Sequence, residues 1–288
     1  MFTGSIVALV TPFRNGGIDE KALGDLVEFH VANGTSAVLP CGTTGESATM
    51  DHEEHVRVIR LVVEAAAGRI KVIAGTGSNS TREAVHLTSQ AARLGADAAL
   101  LVSPYYNKPS QEGLFLHYKT VAESCDIPQI LYNVPSRTGK NIEPETVARL
   151  AGLKNIVAIK EASGSLDQTS QIASLCDITI LSGDDSLTLP LMSVGAVGVI
   201  SVAANVVPAK VAALCRAWLD GRPEEARRVH YELFPLFKAL FVESNPIPVK
   251  AAVAAMGLIT EEYRLPLCPL AEANRRKLME VMKHMGLA

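Results

Sequence analysis

Residues 129–160 read QILYNVPSRTGKNIEPETVARLAGLKNIVAIK, and this stretch contains the pattern that decides the fold. Two short apolar runs, Gln129–Tyr132 and Ile156–Lys160, flank an amphipathic segment near 144–150. Continuous apolar runs of this length are typical of buried parallel strands, and the spacing of the apolar residues between them predicts a helix. The stretch therefore predicts one strand–helix–strand unit of an α/β protein.

The same alternation recurs along the first three quarters of the chain. Strands are predicted at Ser5–Val10, Ala37–Pro40, Lys71–Ala74, Ala98–Val102, Gln129–Tyr132, Ile156–Lys160, Ile178–Leu181 and Val197–Ser201. The helices that follow them are predicted near Asp19–Ala32, Asp51–Ala67, Thr81–Leu94, Gln111–Ser124, Pro144–Leu150, Asp167–Cys176, Leu187–Val194 and Pro208–Leu219. Eight such units predict a closed (β/α)8 TIM barrel, with an open doubly wound sheet as the structural alternative.

A break in the pattern falls at Gly221-Arg-Pro223. Beyond it, the chain to residue 288 has helical patterning and no clear strand. We therefore predict two domains, a catalytic barrel over residues 1–222 and a small C-terminal helical domain over 223–288.

Composition excludes several classes of protein. The net charge of −3, from 27 basic and 30 acidic residues, gives no general reason to bind nucleic acid or an anionic membrane. No apolar stretch is long enough for a membrane helix. The five cysteines are scattered and contain no CxxC pair, which favours a reducing, cytoplasmic compartment over a disulfide framework or a zinc site.

Two motifs resemble metal or nucleotide sites without meeting their requirements. In His52-Glu-Glu-His55 the histidines are three residues apart, whereas the zinc-protease helix needs four. Gly75-Thr-Gly77 lacks the third glycine of a dinucleotide fingerprint, and no phosphate-binding loop of the GxxxxGK type occurs. The sequence therefore predicts no metal site and no nucleotide cofactor.

Lys160 is the most informative polar residue, because it ends the apolar run Ile156–Lys160. In a TIM barrel the catalytic residues lie at the carboxyl ends of the strands. One interpretation is a structural lysine paired with Glu161 or another acid. The other is a nucleophile, since removal from water favours the neutral amine over the ammonium.

Other strand ends supply polar groups that could share this cavity. Tyr132 can transfer protons, although a buried tyrosine is often only a core residue. Gly42-Thr-Thr-Gly45 can bind a small carboxylate through hydroxyl and backbone N–H groups. Arg137 can hold a second carboxylate with two hydrogen bonds, or it is a surface arginine.

Taken together, these motifs resemble a known family. Gly42-Thr-Thr-Gly-Glu46, Tyr132-Asn-Val-Pro135 and Ile159-Lys-Glu161 are similar to those of the pyruvate-dependent lyase superfamily. Ser103-Pro-Tyr-Tyr106, Ser136-Arg-Thr-Gly139 and Asn245-Pro-Ile-Pro-Val-Lys250 narrow the resemblance to its 4-hydroxy-tetrahydrodipicolinate synthase (dihydrodipicolinate synthase) family. The resemblance runs from Phe2 to the C-terminus.

The resemblance implies a lyase of lysine and diaminopimelate biosynthesis that needs no cofactor. Lys160 would form a Schiff base with pyruvate, and Tyr132, Thr44 and Tyr106 would relay protons, with Tyr106 coming from the adjacent subunit of a tight dimer. The remaining substrate-binding positions are Thr43 and Thr44 for pyruvate, Arg137 for the carboxylate of L-aspartate 4-semialdehyde, and Gly183 and Ile200 in the pocket wall. The assembly would be a homotetramer, a dimer of tight dimers.

Members of this family that are inhibited by L-lysine bind it at the tight-dimer interface. The matching positions are Ser47, Ala48, His52, His55, Asn79, Glu83 and Tyr105. The resemblance therefore implies allosteric inhibition by lysine, with Glu83 pairing with the effector's ammonium. The alternative is that His52 and His55 lie on an exposed helix face and bind no effector.

Two other functions compete with this prediction. One is a pyruvate lyase that acts on a sugar acid; Arg137 argues against it, because the sugar-acid enzymes generally lack an arginine in this motif. The other is a non-catalytic barrel that binds a ligand or serves as a scaffold, which fold alone does not exclude. The set of Lys160, Tyr132, Thr44 and Tyr106 argues against a scaffold, which has no need of an amine at a strand end.

Overall fold

A closed barrel of eight parallel strands forms the centre of the computed structural model, which describes residues 2–287. The strands are β1 (Gly4–Ala8), β2 (Phe13–Arg14), β3 (Gly17–Ile18), β4 (Ala37–Leu39), β5 (Lys71–Gly75), β6 (Ala98–Val102), β7 (Gln129–Asn133), β8 (Ile156–Glu161), β9 (Thr179–Ser182) and β10 (Gly198–Ser201). The barrel runs β1-β10-β9-β8-β7-β6-β5-β4, and β1 pairs with both β10 and β4. The TIM-barrel prediction is confirmed, and the open-sheet alternative is wrong because the sheet has no free edge.

Helices surround the barrel and cover the outer face of the sheet. They are α1 (Glu20–Ala32), α2 (His52–Ala66), α3 (Thr81–Arg93), α4 (Gln111–Ser124), α5 (Pro135–Thr138), α6 (Pro144–Ala151), α7 (Leu166–Leu175), α8 (Thr188–Ser193), α9 (Pro208–Leu219), α10 (Pro223–Ala239), α11 (Ile247–Ala255) and α12 (Glu272–His284). Side-chain caps start several of them; Asp51 accepts from Glu54 N–H at 2.8 Å and Ser110 from Gly113 N–H at 3.1 Å. None of the helices in residues 2–287 has the length and apolar character that crossing a membrane requires.

Each barrel strand alternates between the barrel interior and the helix layer. Ile130 and Tyr132 of β7 point inward, as do Ala158 of β8 and Leu181 of β9. Their neighbours Leu131 and Ile159 pack outward against the helices in a second, larger core. This alternation places Tyr132 and Lys160 on the inner face at the carboxyl end of the barrel.

Three short features were not predicted from the sequence. A two-stranded hairpin, β2–β3, follows β1, and α5 occupies only four residues after β7. Two 3₁₀ turns lie at Ser47–Thr49 and Ala203–Asn205. All are at or near the carboxyl end of the barrel, so they shape the region where the functional site is expected.

The segment after Gly221 is helical, and residues 223–287 contain no strand. α10 packs on α9, while α11 reaches back to the loop after β4. There the fully buried Lys250 forms an ion pair with Glu46 at 2.5 Å. The helical content agrees with expectation, and the division into two domains at residue 222 stays a prediction.

Candidate active site

Lys160 lies at the carboxyl end of β8, between Tyr132 of β7 and Leu181 of β9 in the barrel register. The residue is only 6% exposed. Its Nζ lies 4.1 Å from the centroid of the Tyr132 ring, which places the amine over the aromatic face. The two residues that the sequence predicts to share a cavity are therefore in contact.

Glu161 does not pair with Lys160, because consecutive strand residues point to opposite faces. Its carboxylate accepts hydrogen bonds from Ser163 N–H at 2.6 Å, Gln168 Nε2 at 3.0 Å and Asn133 Nδ2 at 3.1 Å, all in the helix layer. Within residues 2–287, Lys160 forms no ion pair with any carboxylate. The interpretation of Lys160 as a structurally paired lysine is therefore wrong, and its amine faces the barrel interior without a carboxylate partner.

A cavity of about 240 Å³ opens above this amine. Its walls are formed by Ala8, Leu39, Gly42, Thr43, Thr44, Leu100, Tyr132, Val134, Ser136, Arg137, Lys160, Ala162, Gly183, Asp184, Val202, Phe241 and Asn245. Six of the residues that the sequence predicts for the active site are among them: Thr43, Thr44, Tyr132, Arg137, Lys160 and Gly183. The volume suits a small acid rather than a large ligand.

Gly183 leaves the space that the lysine side chain occupies. A Cβ at this position would lie 3.0 Å from Lys160 Cε and 2.6 Å from Ala162 Cβ. Glycine is therefore required here by a close approach, and the space gives Lys160 room to react.

The loop after β4 brings hydroxyl and N–H groups to the same cavity. Thr44 is 2% exposed, and its Oγ1 accepts a hydrogen bond from Asn245 Nδ2 at 3.0 Å. The next two N–H groups are used within the loop: Gly45 N–H donates to Gly42 O and Glu46 N–H donates to Thr43 O, both at 3.1 Å. Among residues 2–287, no group accepts from the N–H of Thr43 or Thr44, so both can bind an anion.

Arg137 lies on α5 at the rim of the cavity. Its Nη2 donates to the main-chain oxygen of Asn245 at 3.0 Å. No carboxylate of the described chain pairs with it. The remaining guanidinium donors are free to hold a carboxylate in two-point geometry.

Two predicted residues do not line this cavity. Ile200 is buried in the barrel interior, at 1% exposure. Tyr106 is 90% exposed and has a φ of 71°, an uncommon conformation for a non-glycine residue. A single chain therefore does not bring Tyr106 to Lys160, and its role stays a prediction that depends on a second subunit.

The structure adds wall residues to which the sequence assigned no role. Ser136, Asp184 and Val202 lie close along the chain to predicted residues, whereas Phe241 and Asn245 come from the helical segment after α10. A signal for the latter was present, because Asn245-Pro-Ile-Pro-Val-Lys250 is one of the motifs of the resemblance. Nothing in that motif indicated that it folds back over the barrel.

A second cavity of about 570 Å³ lies beside the first. Its walls include six of the seven residues predicted for lysine binding: Ser47, Ala48, His52, His55, Glu83 and Tyr105. Asn79, the seventh, does not line the cavity and donates from Nδ2 to Tyr105 O at 3.2 Å. Four residues belong to both walls: Thr43, Val134, Arg137 and Asn245.

Two carboxylates line this second cavity; Glu46 is paired with Lys250, which leaves Glu83. Its carboxylate accepts from the Ser78 hydroxyl and contacts His52 Nε2, and these two contacts hold the pKa of Glu83 below its usual range, with Ser78 having the larger effect. His55 Nε2 lies 2.6 Å from Gly75 O, and burial lowers the pKa of His55. A carboxylate in this position suits a ligand with an ammonium group. No group of three or more metal-ligating side chains occurs in the described part of the chain.

Comparisons with known proteins agree with this geometry. The sequence model of the dihydrodipicolinate synthetase family matches residues 1–285. A 4-hydroxy-tetrahydrodipicolinate synthase from Geotalea uraniireducens is 63% identical over 289 residues, covering 100% of both chains. The crystal structure of dihydrodipicolinate synthase from Aquifex aeolicus superposes with a TM-score of 0.98 at 56% identity, covering 99% of each chain.

Two further solved structures carry ligands. The dihydrodipicolinate synthase of Acinetobacter baumannii in complex with pyruvate has a TM-score of 0.98 at 48% identity and 100% coverage of both chains. The enzyme of Cyanidioschyzon merolae with lysine bound has a TM-score of 0.97 at 44% identity, with coverage of 100% of this chain and 99% of that one. Because the family's sequence model and these relatives span nearly the whole chain, the chain belongs to the dihydrodipicolinate synthetase family.

Proposed function

We propose that the cavity above Lys160 condenses pyruvate with L-aspartate 4-semialdehyde. The activity is that of 4-hydroxy-tetrahydrodipicolinate synthase, a lyase of diaminopimelate and lysine biosynthesis. One observation carries the assignment of roles: a buried, unpaired lysine amine faces a small cavity whose wall also supplies hydroxyls, free N–H groups and an arginine.

The first half of the reaction makes the nucleophile. The carboxylate of pyruvate is bound by the N–H groups and hydroxyls of Thr43 and Thr44, which presents its keto carbon to Lys160 Nζ. Attack by the neutral amine gives a carbinolamine, and loss of water gives the imine, with protons moved by Tyr132 and Thr44. The ring of Tyr132, 4.1 Å from Nζ, stabilises the cationic iminium electrostatically. Removal of a methyl proton then gives the enamine.

The second half forms the carbon–carbon bond. Arg137 holds the carboxylate of the semialdehyde, so that its aldehyde carbon faces the enamine. After attack, the amino group of the second substrate adds to the imine carbon and displaces Lys160, which closes the heterocycle and regenerates the free amine. The relay protonates the aldehyde oxygen, which remains in the product as a hydroxyl group.

Trapping of the imine tests this proposal directly. With pyruvate and borohydride, the protein should gain the mass of one reduced pyruvyl group, and peptide mapping should place it on Lys160. Lys160→Ala should give no adduct and no condensation product. Lys154→Ala is the matched control, because Lys154 is an exposed lysine just before the same strand, and it should behave as the parent does. Parental turnover by Lys160→Ala would exclude the proposed mechanism.

We propose that the second cavity binds L-lysine as a feedback inhibitor. Glu83 would receive an ammonium group of the effector, and the hydroxyl of Ser47 with the imidazoles of His52 and His55 would orient its other polar groups. The neighbouring cavity walls share Thr43 and Arg137, so an occupant here can displace residues that hold both substrates. A lysine-bound relative of the same fold supports this assignment.

Inhibition assays with millimolar L-lysine test the effector site. The parent should lose activity, and Glu83→Ala should keep its turnover while losing the inhibition, because the carboxylate that receives the ammonium is gone. Glu53→Ala removes a neighbouring carboxylate that does not line this cavity, and it should remain inhibited. Full inhibition of Glu83→Ala would show that lysine acts elsewhere.

The assembly and the compartment complete the proposal. A homotetramer built from two tight dimers would place the exposed Tyr106 against a neighbouring subunit, where it completes the proton relay. The five cysteines are all free, which supports a cytoplasmic, reducing environment.

A further inference from the structure

Asp184 brings a carboxylate to the wall of the cavity above Lys160, and the proposed reaction gives it no role. It follows Gly183 in the loop between β9 and α8. No other Asp or Glu of the described chain lines this cavity, since Glu46 and Glu83 line only the neighbouring one. The wall therefore combines a single carboxylate with an arginine and a lysine amine.

The two oxygens of this carboxylate have different surroundings. Oδ1 accepts from the Ser186 N–H and hydroxyl, both at 2.9 Å, and from Leu187 N–H at 3.3 Å, which shapes the turn that leads into α8. Oδ2 has no hydrogen-bond partner among residues 2–287, yet it is not one of their buried, partnerless atoms. One oxygen of Asp184 therefore stabilises the turn, and the other remains open to a ligand.

The turn alone does not explain an aspartate at this position. The side-chain oxygen of an asparagine accepts the same hydrogen bonds from the turn. The negative charge of Asp184 also repels the carboxylate groups of both proposed substrates. A role that uses the charge accounts for the aspartate, and a cationic group of a ligand is what such a charge binds.

The second substrate of the proposed reaction carries such a group. L-Aspartate 4-semialdehyde has an α-ammonium group beside the α-carboxylate that is assigned to Arg137. Asp184 and Arg137 line one cavity without forming an ion pair with each other, so both charges are available to a ligand. We infer that Asp184 Oδ2 binds the α-ammonium group, which makes Asp184 the residue that selects an amino acid over an aldehyde acid without an amino group.

This inference deepens the proposed function and rests on it. A substrate held by Arg137 alone can rotate about its carboxylate. A second contact at the ammonium group removes that freedom and keeps both the aldehyde carbon and the nitrogen in place for the two bonds that they form. The contact concerns only the second substrate, so formation of the pyruvate imine does not depend on it.

The experiment combines a change in the protein with a change in the ligand. Asp184→Asn keeps the oxygen that accepts from the turn and removes the charge. The variant and the parent are compared for kcat/KM with L-aspartate 4-semialdehyde and for inhibition by succinate semialdehyde, which has hydrogen in place of the ammonium group and cannot close the ring. In Asp184→Asn, kcat/KM should fall roughly ten- to a hundred-fold, because a hydrogen bond between charged groups is lost. The inhibition constant of succinate semialdehyde should not rise by more than about twofold, because this ligand has no group for Asp184 to bind.

Two controls separate recognition from damage to the site. The rate of borohydride-trapped pyruvyl-adduct formation by Asp184→Asn should not fall by more than about twofold, because the first half of the reaction leaves Asp184 unused. Asp167→Asn removes an exposed carboxylate on α7 that does not line the cavity, and it should match the parent with both aldehydes.

Three results would overturn the role of Asp184. They are a parental kcat/KM in Asp184→Asn, an equal weakening of both aldehydes, and a slowing of adduct formation as large as the loss in kcat/KM. The second result would assign Asp184 to the shape of the wall, and the third to the first half of the reaction or to the fold. If the parent protein itself forms no pyruvyl adduct, the proposed function fails instead.

Discussion

At Gly183, one missing methyl group determines whether Lys160 has room to react. The built Cβ would lie 3.0 Å from Lys160 Cε, closer than nearly all real contacts of this kind, and 2.6 Å from Ala162 Cβ. Gly183 directly follows β9, and β9 cannot move away without breaking its register with β8 and β10. Lysine Cε is the more movable of the two neighbours, so a larger residue at 183 should displace the amine from the face of Tyr132.

Gly183→Ala should therefore impair the chemistry more than the fold. We expect the rate of pyruvyl-adduct formation to fall about a hundred-fold, because the reacting nitrogen is displaced by a fraction of an ångström to an ångström. Rapid-quench trapping with borohydride measures this rate. Circular dichroism should show parental helix and strand content, and an unaltered trapping rate would show that the space is not used.

Residues at strand ends were predictable from the sequence, and residues that act across long chain separations were not. Lys160 and Tyr132 follow apolar runs, so the barrel rule placed them together. Asn245 lies about two hundred positions from Thr44, and only its motif was visible. The sequence also left open whether Lys160 pairs with Glu161. The structure excludes this pair, because the two consecutive strand residues point to opposite faces.

Among the elements, α11 is fixed to the loop after β4 by a buried ion pair. Lys250 and Glu46 are both fully buried, and the Lys250 ammonium also lies 4.3 Å from the centroid of the Phe13 ring. Burial lowers the pKa of Lys250, while the charge of Glu46 opposes that shift. Glu46 lies two residues after Thr44 in the same turn, so this ion pair holds the turn and the helix in a fixed relation.

Lys250→Met should destabilise the protein by roughly 3–5 kcal/mol, because it leaves the Glu46 carboxylate buried without its paired cation. Urea unfolding at a fixed protein concentration measures the change. Adding Glu46→Gln should recover part of the loss, since no buried charge then remains. Lys21→Met, which breaks an exposed pair with Asp25, should cost less than about 1 kcal/mol. Similar costs for the two single variants would show that burial of the pair is unimportant.

The eight barrel strands and their long helices were predictable because each has an apolar pattern long enough to recognise. The strands β2 and β3 have two residues each, and α5 has four, so none of them repeats its pattern often enough to be recognised. These short elements carry or adjoin functional residues, including Arg137. The local details of the site were therefore harder to predict than the architecture that supports it.

For the whole molecule, Tyr106 is the residue that bears on the proposed dimer. It is 90% exposed, its φ is 71°, and it does not line the cavity of its own chain. A large aromatic side chain held in this conformation on an open surface is accounted for if a second subunit receives it. The proposed dimer would supply such a subunit.

Mixing two inactive variants tests this arrangement. Tyr106→Phe retains Lys160, and Lys160→Ala retains Tyr106, so a mixed tight dimer contains one site with both residues intact. Co-expression or joint refolding should restore roughly a quarter of parental activity, because half of randomly formed dimers are mixed and each has one working site. Each variant alone serves as the control. No recovery in verified mixed dimers would place the function of Tyr106 within its own subunit.

The common wall of the two cavities, formed by Thr43, Val134, Arg137 and Asn245, has a thermodynamic consequence. If an occupant of the larger cavity weakens the hold on the keto acid by some factor, the keto acid must weaken the hold on that occupant by the same factor. Calorimetric titration of lysine into protein with and without saturating pyruvate would measure this factor as the ratio of the two dissociation constants for lysine. Feedback strength in the cell would then follow the supply of the first substrate as well as the level of the end product.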